Sequence, residues 1–338
     1  MMEQRLESPT DDHHKLVSRI KVLADLKISE RRLPQDGKFS YHSPNHNRLI
    51  DMRVASIPTK YGGKITLRLI GALKLPNNYQ ALGFSEESTV IIDGSLNMTQ
   101  GLTLVTGPTS SGKSTTLYTF LKKIKERDHL SIISLEDPVE YELPGITQVS
   151  IDHQKTSFKL ALRSALRHDP DVILVGEIRD ADTASIAVRA ALTGHLVLST
   201  LHTNSASTVP QRLIDMGVAP YLVATTLKLI ISQRLVKKLC PHCISSEFES
   251  SFGISYKNKG CHYCKGSGYK GRSGVYEFIQ IDNGLREIIS NQLSEQVINT
   301  YQKKRGVNSI WKDAQIKVNL ALIDYETTQQ MVGIVDNC

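Results

Sequence analysis

Aromatic residues make up 6% of this 338-residue chain and include a single tryptophan. No apolar run approaches the roughly 18 uncharged residues needed to cross a bilayer. The first twenty residues, MMEQRLESPTDDHHKLVSRI, lack the continuous apolar segment of a secretory signal. These absences argue against an integral membrane protein or a secreted one. Cysteine is scarce: the chain holds five, which do not read as a disulfide scaffold in a reduced, soluble protein. Acidic residues number 34 against 41 Lys and Arg, a formal charge of +7. That surplus is compatible with nucleic acid or anionic lipid as a partner, but its even spread fits a solvated surface with several phosphate-facing arginines.

With 40% hydrophobic and 22% charged residues, the chain suits roughly two packed domains. The first ninety residues mix signals. LVSRIKVLADL has helical spacing, and LIDMRVASI and KITLRLIGAL are strand-like, placing Arg53 and Arg68 within β runs. LPNNYQALGFSEES reads as a connection. From about Met98 the pattern becomes strand, turn, helix, repeated: GLTLVTG, STTLYTFLKKIKER, SIISLED, SFKLALRSALRHD, DVILVGE, TASIAVRAALTG and HLVLSTLH. This alternation predicts an α/β domain with a parallel sheet. The expected divisions are an α+β domain over 1–92, a linker over 93–97, the core over 98–235, a cysteine module over 236–275 and a helical region over 276–338.

Gly107, Pro108, Thr109, Ser110, Ser111, Gly112, Lys113 and Ser114, followed by Thr115, satisfy G-x4-G-K-[ST] between a strand and a helix. Glycines there let backbone N–H groups turn around phosphate oxygens, aided by the helix N-terminus. Lys113 can reach the outer phosphates and Ser114 can ligate Mg2+. Acidic clusters follow two strands, Glu136, Asp137 and Glu140 after one, Glu177 and Asp180 after the other. Ligands of open parallel sheets sit at the carboxyl ends of the strands, so both clusters are expected near the phosphates. Asp169 and Asp180 read as caps. His195 and His202 bracket one strand, and residue chemistry leaves a structural role and phosphate sensing equally open. Cys240, Cys243, Cys261 and Cys264 form C-x2-C-x17-C-x2-C, the pattern of a closed, structural Zn2+ site, with His242 and His262 as non-ligands. Cys338 receives no role.

The segments SRIKVLADLKISERRLPQDG, DMRVASIPTKYGGKITLRLI, LVTGPTSSGKSTTLY, ISLEDPVEYELPGITQV, LRSALRHDPDVILVGEIRD, LTGHLVLSTLHTNSA, QRLVKKLC and GYKGRSGVYE stand in the order of a known family. They resemble the secretion ATPase superfamily of type II secretion and type IV pilus assembly, including competence pseudopilus ATPases. The resemblance implies a RecA-like P-loop core using ATP and Mg2+, with Lys113 and Ser114 as phosphate and metal residues. It implies Glu140 as the residue activating water, Glu177 as the glutamate of an atypical Walker B segment, and His195 and His202 as a histidine pair. Arg53 and Arg68, which residue chemistry alone would leave on a solvated strand face, correspond to arginines reaching the nucleotide across a domain cleft. The tetracysteine element matches assembly-type members. Implied too are a cytoplasmic homo-hexamer, peripherally associated with the inner membrane through a polytopic platform protein and serving the pilin or pseudopilin machinery, with no direct nucleic acid. A retraction motor and, lower, a nucleic-acid translocase are the rival readings. TSSGKS stands where the family has TGSGKT, and GGK where it has GEK. The chain is expected to begin at the family's second N-terminal domain.

Overall fold

The computed structural model describes residues 10–43, 48–70, 75–152, 156–292 and 294–332. It divides into two compact units, Met1–Lys74 and Leu75–Cys338. In the first, α1 (Thr10–Leu23) packs against β3 of an antiparallel sheet ordered β1 (Gln35–Ser43), β2 (Arg48–Thr59), β3 (Gly62–Ile70). The strand period of two sorts its side chains. Gly37, Val54 and Leu67 are in register, and Val54 is buried. A Cβ on Gly37 would lie 2.4 Å from the Ala24 carbonyl, so only glycine lets β1 approach the end of α1. The next row, Lys38, Arg53 and Arg68, is also in register and lies on the other, exposed face.

The second unit opens with α2 (Tyr79–Leu82) and α3 (Glu86–Leu96), where the sequence reads as a connection ahead of a boundary at 92. The misreading has a local cause. Its turn-like residues are caps: Asn78 and Ser85 accept from backbone N–H groups at two helix starts, and Gly83 takes the left-handed conformation after α2. Tyr79, Leu82 and Phe84 between the caps, and Ile92 and Leu96 in α3, are buried, and Phe84 stacks on Tyr276 with ring centroids 4.0 Å apart.

Then follow β4 (Gly101–Thr106), α4 (Lys113–Lys125), β5 (Ile132–Glu136), β6 (Thr147–Ser150), α5 (Phe158–Ala165), β7 (Val172–Val175), α6 (Ala181–Leu192), β8 (Leu196–Leu201), α7 (Val209–Asp215), α8 (Pro220–Thr226) and β9 (Leu227–Leu239). A hairpin of β10 (Ile244–Ser250) and β11 (Gly253–Asn258) precedes β12 (Tyr269–Gln280), and α9 (Asn283–Ser290), α10 (Glu295–Lys304), α11 (Ile310–Asn319) and α12 (Tyr325–Val332) end the described chain. The central sheet has seven strands in the order β12-β9-β4-β8-β7-β5-β6. All its neighbours pair in parallel except β12, which runs antiparallel to β9. Every residue of β4, β5, β7 and β8 is buried, as a sheet covered on both faces requires. Apolar side chains of α2, α3 and α4 cover one face, and those of α5 to α10 the other. A third cluster, Val236, Phe252, Val275, Ala314, Val318 and Ile323, joins the hairpin to α11 and to the end of the sheet. The expected limits at 235/236 and 275/276 both fall inside strands of this sheet, β9 and β12.

If residues 75–92 belong to the core of the second unit, Phe84→Ala should lower its unfolding free energy by about 3–5 kcal/mol. Urea unfolding followed by tryptophan fluorescence checks this, because Trp311 lies in the same unit.

Candidate nucleotide site and cysteine cluster

The loop between β4 and α4 is tightly wound. Gly107 and Gly112 have φ of +146° and +90°, and Ser110 holds φ of +64°. Lys113 opens α4, and its ammonium donates to the carbonyls of Gly107 and Pro108, both at 2.9 Å. Burial holds this ammonium below its ordinary pKa, with Arg234 acting in the same direction and the Glu177 carboxylate opposing. Basic residues in the last turn of α4, Lys122, Lys123 and Lys125, complement its dipole at the far end.

Parallel pairing brings the ends of β8 and β7 to the same edge. Thr106 is in register with Leu201, and Val175 with Ser199. The Thr106 hydroxyl accepts from the backbone N–H of Thr203 at 3.0 Å, tying the loop after β8 to the strand that carries the phosphate loop. His202 is thereby placed with Nε2 3.5 Å from a Glu177 oxygen. Its imidazole is held below the usual 6.5, first by burial and then by the Lys113 charge. The neutral ring is favoured, and any stability this contributes is present above the unfolded value and lost as pH falls through the folded one. Glu177 also pairs with Arg179. The GEIRD backbone is pinned on both sides: Gly176 N–H donates to Leu135 O at 2.7 Å and Ile178 N–H to Thr200 O at 3.0 Å. The loop after β8 is fastened further by Glu277, which accepts from Ala206 N–H at 3.2 Å and whose carboxyl burial pushes upward in pKa.

Glu136, at the end of β5, is buried and accepts from the Tyr118 hydroxyl and, at 2.6 Å, from Ser134. Tyr118 in turn accepts from Glu140 N–H at 2.9 Å, so α4 fixes the backbone of the exposed Glu140. Sequence reading singles out Glu140 and misses Tyr118, whose phenol burial and the Glu136 carboxylate push up in pKa. Asp180 caps α6 as expected, accepting from Thr183 N–H at 2.8 Å.

His195 and His202 flank β8, one at each end. His195 precedes β8 beside Gly101, and its Nδ1 lies 3.0 Å from Ala190 O. His202 follows the other end, so about 20 Å of strand separates them. Arg53 and Arg68 are directly opposed on β2 and β3, with Lys38 beyond Arg53 on β1. Like charges so opposed are unfavourable in a sheet. Lys38 is a third cation that register reveals and spacing along the chain conceals.

Cys240, Cys243, Cys261 and Cys264 have sulfurs within 4.8 Å of one another and could hold a metal ion. Neighbouring sulfurs are 3.7–3.9 Å apart, close to the ~3.8 Å that tetrahedral Zn–S bonds of about 2.3 Å impose. Burial raises the thiol of Cys243 to about 12. At Cys264 burial also raises it, but N–H donation from Cys261 and Gly268 prevails and brings it to about 6. A donor set of four cysteine sulfurs at these separations fits zinc. His242 and His262 are exposed, as expected.

A Gly-rich loop between a central parallel strand and a helix, on a sheet covered by helices, defines a P-loop protein with a RecA-like core. The chain belongs to the Type II/IV secretion system protein family, whose model matches residues 1–330. It is 42% identical over 308 residues to the type II secretion system protein HxcR of Pseudomonas aeruginosa, covering 90% of this chain and 63% of that protein. With the type IV pilus assembly ATPase PilB of the same organism the identity is 40% over 346 residues, covering 98% and 61%. The chain thus spans about three-fifths of the length of these curated relatives. Among solved structures, the pilus retraction motor PilT with bound ADP is similar at a TM-score of 0.69 and 28% identity, covering 97% of this chain and 85% of that one. The Legionella pneumophila ATPase DotB, at 0.71 and 21% identity over 98% and 85% of the two chains, shares the fold.

Ser110 occupies a left-handed conformation, which costs an L-residue about 1–2 kcal/mol. Greater freedom of glycine in the unfolded chain offsets part of this. Ser110→Gly should therefore raise unfolding stability by up to about 1 kcal/mol, measured by urea denaturation without nucleotide.

Proposed function

We propose that this chain is a cytoplasmic ATP hydrolase that, as a ring of six copies at the inner membrane, powers assembly of a type IV pilus or of a type II secretion or competence pseudopilus. The observation that carries the reading is the wound phosphate loop with the Lys113 ammonium in the field of Glu177, itself beside His202, at one edge of the sheet. Lys113 would neutralise the outer phosphates, and the backbone N–H groups of the loop, from Gly107 to Thr115, would cradle them. Ser114 would hold Mg2+, which when bound offsets phosphate charge. Glu140 would take the proton of the attacking water, Glu177 would order the polar groups around the γ-phosphate, and His202 in neutral form would hydrogen-bond there. Arg53 and Arg68 would stabilise charge developing on the transferring phosphoryl group. Movement of the first unit on each cycle of hydrolysis would be passed to a polytopic platform protein.

Zinc at the four cysteines would be structural, because four thiolates leave no open coordination position. No helix among the described residues is long and apolar enough to cross a membrane, which accords with attachment through partners. Retraction is the second reading, favoured by the likeness to PilT at 28% identity. The 40% identity to PilB ranks assembly ahead.

Lys113→Ala should abolish ATP turnover by weakening binding, and Glu140→Gln should lower kcat at least a hundredfold while leaving ATP bound. A steady-state phosphate-release assay with parallel equilibrium binding checks both, and wild-type rates in both variants would remove the assignment. Chelation of zinc should cost the region around Cys240–Cys264 its order, read as released metal together with new proteolytic cuts there.

A further inference from the structure

We propose that Gln233 is a positioning residue for the phosphate loop, setting nucleotide affinity from the neighbouring strand. The inference rests on the reading of that loop as an ATP site. Gln233 lies in β9 and is 1% exposed. Both ends of its amide are spent on one segment: Nε2 donates to Ser111 O at 2.8 Å, and Oε1 accepts from the Thr116 hydroxyl at 2.8 Å. The two bonds straddle Gly112, Lys113, Ser114 and Thr115, so the amide cannot turn without releasing the loop from the first turn of α4.

The same residue limits what the loop can contain. A Cβ on Gly107 would stand 2.4 Å from the Gln233 carbonyl, and one on Gly112 would stand 2.8 Å from its Nε2. Gly107 is thus demanded by the main chain of β9 as well as by its own conformation, and Gly112 by its conformation, with the Gln233 amide close beside it. Gln233 is itself held from behind. It is in register with Tyr276 on β12, which is buried and donates its hydroxyl to Leu82 O at 2.9 Å. Packing alone does not call for a buried amide here. An apolar side chain of similar size would fill the space without two polar atoms to satisfy. What the amide adds is a fixed position for the Ser111 carbonyl and for the start of α4.

The full-length protein tests this through Gln233→Leu, which removes both bonds, and Gln233→Glu, which keeps an acceptor for Thr116 and loses the donor to Ser111. Three quantities are read: Kd for Mg-ATP, the rise in Tm on adding nucleotide, and kcat against KM. For Gln233→Leu we expect Kd to rise about tenfold or more, the nucleotide-induced rise in Tm to shrink, and KM to change more than kcat. Gln233→Glu, which sets a carboxylate oxygen against the Ser111 carbonyl, should weaken binding at least as much. Equal losses of Tm with and without nucleotide, at unchanged Kd, would mean that Gln233 is merely part of the core and would overturn the proposal. Should Gln233→Leu fail to fold, Thr116→Val removes one bond from the other side: binding weakened several-fold supports the proposal, and an unchanged Kd overturns it. Failure of the ATP-site reading is distinguishable, because the wild-type protein would then not bind Mg-ATP.

Discussion

Parallel pairing through β9, β4, β8, β7 and β5 is the constraint on which the rest depends. It ends these strands at one edge and leaves their interiors buried on both faces, so that polar side chains gather where the strands stop. The loops leaving that edge are not free to drift. Thr106 holds the segment after β8, Leu135 and Thr200 hold GEIRD, and Gln233 holds the phosphate loop. Each of these restraints has a backbone group on at least one side, at 2.7–3.0 Å. An edge fixed in this way has its dipoles oriented before a ligand arrives and need not reorganise when charge develops.

What could be read from the sequence was what is local in it. The phosphate loop is a run of consecutive residues between a strand and a helix, and the cysteine pairs announce themselves by spacing. The parallel core was legible because its strands are continuous apolar runs. The grips on the site were not, because they span the chain: Thr116 and Gln233 are 117 residues apart, and Thr106 and Thr203 are 97. Tyr118, seen alone, is one more apolar-face residue of α4, and only the fold shows its hydroxyl between Glu136 and Glu140. His195 and His202 were legible as the two flanks of one apolar run, and the structure adds the distance between them. A strand of six residues is long compared with any side chain, so the two rings stand far apart within one chain. The linker reading of residues 75–88 failed because caps and turns draw on the same small polar residues and glycine.

The place of the cysteine cluster follows from the reach of β9. That strand has 13 residues against six in β4, and their ladder ends at the pair Thr106 and Ser232. Beyond Ser232, β9 pairs with β12, in a ladder irregular between Tyr269 and Arg272, and near its tip it also bridges residues 322–324, with Leu239 N–H donating to Leu322 O at 3.1 Å and Asp324 N–H to Lys237 O at 3.3 Å. Gln233 is the first residue of this overhang. An overhanging strand with only a short bridge on one side opens more readily than the sheet interior, because its backbone groups exchange with water. The cluster closes the overhang directly after its last residue. Cys240 N–H donates to Gly268 O at 3.0 Å, and the Asn258 amide bridges the carbonyls of Cys240 and Gly268. Four sulfurs drawn from both sides of that junction could hold one ion, which would join the end of β9 to the start of β12. A strand clamped at its tip by the cluster and along its base by β4 keeps the intervening Gln233 in place, which is the geometry that a loop built around one buried amide requires.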